Sequence, residues 1–79
     1  MFYVYIIYSQ ELDVYYKGFT ENVEKRIDAH QLGLSRYTSK ASDWELVYVA
    51  NFSTKREALI EEKRIKRLNK VSLEKLIRG

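Results

Sequence analysis

The chain has 79 residues, of which 46% are hydrophobic and 32% are charged, so it is long enough for one small folded domain and no more. It contains no cysteine, which excludes a disulfide scaffold, a zinc ribbon and a thiol nucleophile. The net charge is +3, and residues 41–79 supply the whole excess of basic groups.

Two strands are predicted at the start of the chain. Residues 2–8 are all aromatic or aliphatic, which is typical of a strand buried on both faces. Residues 9–13 form a polar turn before a second strand at residues 14–19, and so short a connection predicts an antiparallel hairpin. Gly18 in the second strand indicates a bulge or a close approach of the backbone to another group.

A helix and a third strand follow. Thr20 can cap a helix over residues 21–32, and Gly33 can end it. Residues 34–43 are polar and predict a loop. Residues 44–52 are rich in β-branched and aromatic side chains, which favours a strand.

Two more helices complete the predicted order. Thr54 and Glu57 fit a capping box for a helix that runs to about residue 68. Ser72 can cap a last short helix. The apolar side of that helix is formed by Leu73, Leu76 and Ile77. The order β-β-α-β-α-α predicts an α+β fold, with a small three-stranded antiparallel sheet flanked by helices, as one domain over residues 1–79.

The sequence also bears on location. No apolar run approaches the roughly 18 residues that a membrane span needs, and residues 1–8 lack the basic start and the cleavage site of a signal peptide. We therefore expect a cytoplasmic protein that does not enter a membrane.

One carboxylate falls on an apolar helical stripe. Glu62 lies between Ala58 and Ile65 at helical spacing, where an unpartnered charge is costly. A hard divalent metal ion would satisfy it. A Lys or Arg side chain from a neighbour would also do so, and that structural interpretation is the one the pattern alone favours.

Other polar residues are candidates for chemistry on phosphate. Arg26 and His30 share a helix face at i and i+4, where Arg supplies a fork for phosphate oxygens and His can accept a proton. Taken singly, each is more often a surface arginine or a packed helix-end histidine. Tyr5 and Tyr16 lie on strand faces, where a hydroxyl can position water or act as acid or base, although most such tyrosines fill a core.

A basic run lies near the end of the second long helix. Five cations fall within eight residues with no acid between them: Lys63, Arg64, Lys66, Arg67 and Lys70. Such a run favours a polyanionic partner. A solvated helix face is the alternative.

Together these motifs resemble the GIY-YIG nuclease family, and in particular its small stand-alone bacterial members. The resemblance covers about residues 2–77. It is carried, in order, by Tyr3-Val4-Tyr5, Tyr16-Lys17-Gly18, residues 22–30, Arg36-Tyr37-Thr38, residues 44–48 and residues 58–63. Lys17 stands where the family usually has Ile or Val.

The resemblance implies a role for each matched residue in a metal-dependent hydrolysis of DNA. Tyr5 would position or deprotonate the attacking water, and Tyr16 would hydrogen-bond that water or the scissile phosphate. Arg26 would bind the scissile phosphate, and His30 would accept a proton or contact the phosphate. Glu62 would hold one Mg²⁺ or Mn²⁺ ion.

The resemblance also implies accessory groups and a partner. Gly18 would keep the backbone low under the site, and Tyr37 would be a further contact in the loop. The implied partner is DNA, single-stranded, nicked or branched, with low sequence specificity and a place in repair or recombination. The candidate phosphate contacts are Lys63, Arg64, Lys66, Arg67 and Lys70.

Two other functions stay open. A nucleic-acid-binding module could keep the fold and the basic helix while cleaving poorly or not at all, and metal binding at Glu62 separates it from a nuclease. A protein-interaction domain that uses exposed aromatic residues predicts no salt-dependent binding of DNA.

Overall fold

The computed structural model describes residues 1–33 and 38–79 of the chain. The predicted α+β fold and its order β-β-α-β-α-α are confirmed. The elements are β1 (Phe2–Ser9), β2 (Val14–Thr20), α1 (Val23–Gln31), a 3₁₀ turn (Thr38–Lys40), β3 (Glu45–Phe52), α2 (Lys55–Lys66) and α3 (Lys70–Arg78).

Strand β1 is the centre of the sheet. The strand order is β2-β1-β3, and both neighbours are antiparallel to β1. Val4 and Ile6 point to one face of the sheet, whereas Tyr5 and Ile7 point to the other, and all four are fully buried. The prediction of a strand buried on both faces is therefore confirmed.

Helices α2 and α3 cover the Val4 face of the sheet. Ala58 and Ile65 of α2 and Leu73 of α3 pack with Val4 and Ile6 in one apolar cluster. This stripe is the one that the spacing of apolar residues predicts on α2, and it also confirms the apolar side predicted for α3.

Helix α1 lies on the Tyr5 face. Tyr5 and Ile7 cluster there with Trp44, and Ile27 of α1 and Val14 of β2 pack against the cluster. Trp44 precedes β3, which starts at Glu45, rather than beginning it as predicted. Its buried indole donates from Nε1 to the Thr38 carbonyl in the 3₁₀ turn.

The predicted N-terminal cap of α1 is wrong by two residues. Thr20 does not cap α1, because Thr20 ends β2 and its hydroxyl hydrogen-bonds the backbone of Asn22. Asn22 caps α1 instead, and its side-chain oxygen accepts from the Lys25 N–H. The predicted end is confirmed, since Gly33 takes a left-handed φ of 72° directly after the last turn.

The last two helices divide differently from the prediction. The Thr54 cap of α2 is confirmed by a hydrogen bond from the Glu57 N–H to its hydroxyl. Helix α2 ends at Lys66, and Asn69 rather than Ser72 caps α3. The Ser72 N–H donates to the Asn69 side chain, so Ser72 lies in the first turn. Within the described ranges, no helix has the length and apolar character needed to cross a membrane.

Candidate active site

The hairpin of β1 and β2 places a tyrosine ring over a glycine. Tyr5 pairs with Gly18 across the two strands. A Cβ atom on Gly18 would lie 2.3 Å from the Tyr5 Oη and 2.5 Å from Cζ, so no larger residue fits beneath the ring. The close approach predicted at Gly18 is therefore present, and the β1–β2 register runs without a bulge.

Gly18→Ala is expected to lower the free energy of unfolding by about 1–3 kcal/mol, because the added methyl group collides with the Tyr5 phenol. Urea unfolding of the variant and of the natural chain measures this loss. The matched control is the same substitution in a Tyr5→Leu background, where the cost should fall below ~0.5 kcal/mol because the collision is gone. Equal losses in the two backgrounds would show that the ring contact is not the cause.

Helix α1 brings two polar side chains to the Tyr5 hydroxyl. His30 Nε2 lies 2.8 Å from the Tyr5 Oη, and both residues are 0% exposed. Arg26, one turn earlier on α1, donates from Nε to the same oxygen over 3.3 Å. The i and i+4 spacing of Arg26 and His30 thus converges on one hydroxyl group.

Tyr16 completes the cluster. Its ring centroid lies 6.5 Å from that of Tyr5 and meets the His30 ring edge-on at 5.0 Å. It also bonds the Arg26 guanidinium. Tyr5, Tyr16, Arg26 and His30 are therefore brought together on one face of the sheet, and Tyr16 and Arg26 are the half-buried members that face outward.

Burial sets the protonation states of the cluster. It raises the pKa of Tyr5, an effect that the Arg26 hydrogen bond partly offsets, so the phenol is neutral at pH 7. Burial, with a contribution from the Arg26 charge, lowers the pKa of His30 to about 4, so the imidazole is neutral too. Hydrogen bonds to Tyr5 and Tyr16 raise the pKa of Arg26, which stays charged.

A residue without a predicted role holds the other side of His30. Thr38 Oγ1 lies 2.7 Å from His30 Nδ1 and is fully buried. Trp44 Nε1 donates to the Thr38 carbonyl over 2.8 Å, which fixes the 3₁₀ turn against the sheet. The available signal was indirect: a buried histidine needs a partner for each ring nitrogen.

Glu62 lies on α2, apart from this cluster. Its side chain is 18% exposed and pairs with Lys66 Nζ at 3.5 Å, as the structural interpretation predicted. Its charge raises the pKa of Tyr5 as the weakest of several causes, which places Glu62 within electrostatic reach of that hydroxyl.

The donors near Glu62 are sparse. No group of three or more His, Cys, Asp or Glu side chains that could hold a metal ion occurs in the part of the chain that the structure describes. Mg²⁺ is commonly held by one or two carboxylates together with water and substrate phosphates. The Lys66 partner is half exposed, so this pair is weak and exchangeable. Glu62 would therefore supply one carboxylate ligand, and water and phosphate oxygens would have to complete the coordination shell of such an ion.

The basic run is exposed but partly neutralised. Arg64 makes a forked pair with Glu61 at 2.6 and 2.8 Å, and Lys70 pairs with Asp13 at 3.1 Å. Lys66 pairs with Glu62. In the ranges 1–33 and 38–79, Lys63 and Arg67 are the members of the run without an ion pair. Tyr37, the predicted loop contact, lies outside the described residues.

Comparison with known proteins covers nearly the whole chain. A family model described as the GIY-YIG catalytic domain matches residues 1–75. A UPF0213 protein of Oceanobacillus iheyensis is 40% identical over 76 residues, which span 95% of this chain and 87% of the relative. A UPF0213 protein of Clostridium perfringens is 42% identical over 71 residues, which span 89% and 75%. The solution NMR structure of a UPF0213 protein from Bacillus halodurans matches with a TM-score of 0.63 at 32% identity, covering 99% of this chain and 84% of that one.

Proposed function

Because the chain belongs to the family of GIY-YIG catalytic domains, we propose that it is a divalent-metal-dependent nuclease that hydrolyses phosphodiester bonds in DNA. The observation that supports this most is the convergence of Arg26 and His30 on the Tyr5 hydroxyl, with Tyr16 beside them. This cluster combines a cation that can bind phosphate, a neutral base that can accept a proton and two phenols that can position water.

The two tyrosines would position the attacking water. Tyr5 is neutral in the resting protein, so we assign it the positioning of water rather than service as a standing phenolate. Tyr16 is half-buried at the outer side of the cluster and would meet the water or the scissile phosphate directly. His30, neutral at pH 7, would serve as the proton acceptor of the cluster.

Arg26 would bind the scissile phosphate. A guanidinium has five N–H donors, and the hydrogen bonds to Tyr5 and Tyr16 use only part of them. The remaining donors would stabilise negative charge that develops on the phosphate in the transition state. Lys25 lines the same open cleft as Arg26 and would contact a neighbouring phosphate.

Glu62 would hold one Mg²⁺ or Mn²⁺ ion. When bound, the ion supplies Lewis-acid polarisation of a phosphate oxygen and stabilises the leaving oxygen. Glu62 would exchange its weak pair with Lys66 for this ion, which releases Lys66 for the DNA backbone.

Affinity would come from phosphate contacts and would therefore fall with salt. Lys63 and Arg67 are the first candidates, because each is exposed and has no ion pair in the described parts of the chain. Arg64, Lys66 and Lys70 would contribute after exchanging their carboxylate partners. Such contacts carry little sequence information, which agrees with a role in repair or recombination on nicked, branched or single-stranded DNA.

The experiment is a cleavage assay on single-stranded, duplex, nicked and branched DNA with Mg²⁺, Mn²⁺ or EDTA. We expect cleavage that requires the metal, that is lost in Glu62→Gln and that persists in Glu61→Gln. Glu61 is the matched control, because it is a neighbouring α2 carboxylate that also pairs with a cation. Equal cleavage by the two variants would remove Glu62 from the site.

The Glu62–Lys66 pair also favours a second candidate, a nucleic-acid-binding module that cleaves poorly or not at all. Its signature in the same assay is salt-sensitive DNA binding by the natural chain and by Glu62→Gln alike, without cleavage of any substrate. Absence of salt-dependent DNA binding would instead favour a protein-interaction domain.

A further inference from the structure

His30 is engaged at both ring nitrogens inside the protein. Nε2 lies 2.8 Å from the Tyr5 Oη and Nδ1 lies 2.7 Å from the Thr38 Oγ1, and all three residues are fully buried. A neutral imidazole has one N–H and one lone pair, so the position of its single proton sets the direction of both hydrogen bonds.

Arg26 sets that direction from one end. A guanidinium only donates, so the Tyr5 oxygen must accept from the Arg26 Nε–H. The buried Tyr5 hydroxyl has its own proton to place, and His30 Nε2 is within hydrogen-bond distance of it. If Nε2 accepts from Tyr5, the ring proton sits on Nδ1 and is donated to Thr38.

We propose that Thr38 is a positioning residue, which holds His30 in the tautomer protonated at Nδ1 so that Nε2 accepts the Tyr5 hydroxyl proton. All donors then run one way, from Arg26 through Tyr5 and His30 to Thr38. The Thr38 end is fixed in turn by the hydrogen bond that the Trp44 indole makes to its carbonyl.

The opposite tautomer would disturb the whole chain of hydrogen bonds. His30 Nε2–H and Arg26 Nε–H would both donate to the Tyr5 oxygen, and the Tyr5 proton would have to turn away from both. Arg26 would then share its anchor on Tyr5 with a second donor. Thr38 thereby acts on the orientation of the Tyr5 hydroxyl and on the placement of Arg26 without touching substrate. The importance of this arrangement for cleavage rests on the proposed function.

The first test reads the tautomer directly in the natural chain. Long-range proton–nitrogen NMR at pH 7 distinguishes the protonated from the unprotonated ring nitrogen, and the chain has a single histidine to observe. We expect the proton on Nδ1. A proton on Nε2 would overturn the proposal. This measurement needs neither substrate nor activity.

The second test removes the threonine oxygen while keeping the shape of the side chain. In Thr38→Val, the Nδ1–H loses its acceptor, so we expect a measurable population protonated at Nε2 and a fall in kcat of about 10-fold, the size expected for the loss of one buried hydrogen bond. Salt-sensitive DNA binding should change little, because Thr38 is buried away from phosphate. Thr38→Ser, which restores the oxygen, should recover both the tautomer and most of kcat.

These readouts separate the two proposals. The Nδ1–H tautomer in a chain that cleaves no DNA would overturn the nuclease and leave the positioning by Thr38 intact. Cleavage with an unchanged tautomer and unchanged kcat in folded Thr38→Val would overturn the positioning and leave the nuclease intact. If Thr38→Val does not fold, a proton on Nε2 in the natural chain still overturns the proposal.

Discussion

Replacing Arg26 with lysine is expected to lower the rate of DNA cleavage by about 10²–10³-fold while leaving the chain folded. Lysine keeps the charge, but its three N–H donors sit on one nitrogen, so it loses the planar fork that spreads donors towards the two tyrosine hydroxyls and a phosphate. The stability cost should stay near ~1 kcal/mol, because the direct hydrogen bond to Tyr5 is long, at 3.3 Å, and Arg26 is only half-buried. Single-turnover cleavage with saturating protein measures the rate.

Lys25→Ala is the matched control for Arg26. Lys25 lines the same cleft, and its side chain makes no ion pair in the ranges 1–33 and 38–79. Its loss should weaken DNA binding in a salt-dependent way and leave the single-turnover rate nearly unchanged. If Arg26→Lys behaves like Lys25→Ala, Arg26 serves binding alone. If Arg26→Lys unfolds, its main role is structural.

Acid should destabilise the protein through His30 before the carboxyl groups titrate. The imidazole has a pKa near 6.5 in an unfolded chain and about 4 when folded, so the unfolded state binds the proton more tightly. The contribution of neutral His30 is fully present above pH 6.5 and is lost as the pH falls towards 4. The loss in free energy of unfolding should reach about 3 kcal/mol at pH 4, of which about 2 kcal/mol appears between pH 7 and pH 5.

Urea unfolding at several pH values measures this loss in the free energy of unfolding. The loss between pH 7 and pH 5 should be absent in His30→Gln. Asp13 and Asp43 also have a lowered pKa in the folded chain, through hydrogen bonds from Tyr8 and Ser9 respectively, but their contribution is lost only at lower pH. An NMR titration of the folded chain provides a direct check. Protonation of His30 near pH 6.5 without unfolding would contradict the buried, neutral imidazole.

The sheet and its faces could be predicted because they follow from local patterns. The apolar run of β1 has side chains for both faces, and alternation alone puts Tyr5 and Ile7 on one side and Val4 on the other. The spacing of Arg26 and His30 likewise fixed their common direction on α1 before any fold was known. The family motifs added the expectation that Tyr5, Tyr16, Arg26, His30 and Glu62 belong to one site.

The helix caps and the partner of His30 could not be predicted from the sequence. They depend on which of several similar side chains makes a given contact. Thr20 and Asn22 are both good caps, and the extension of β2 to Thr20 decides for Asn22. Asn69 prevails over Ser72 because α2 ends earlier than its composition suggests. The contact of Thr38 with His30 joins a loop to a helix, and no periodicity reports such a contact.

The division of the sheet into two covered faces has a consequence for synthesis of the chain. The first 31 residues supply β1, β2 and α1, and with them the cluster around Tyr5. The helices that cover Val4 and Ile6 come from residues 55–78, so a nascent chain presents that face bare. Until those helices dock, the folding chain offers an apolar sheet surface of the kind that promotes aggregation and recruits chaperones, although Tyr5, Tyr16, Arg26 and His30 all lie in the first 31 residues.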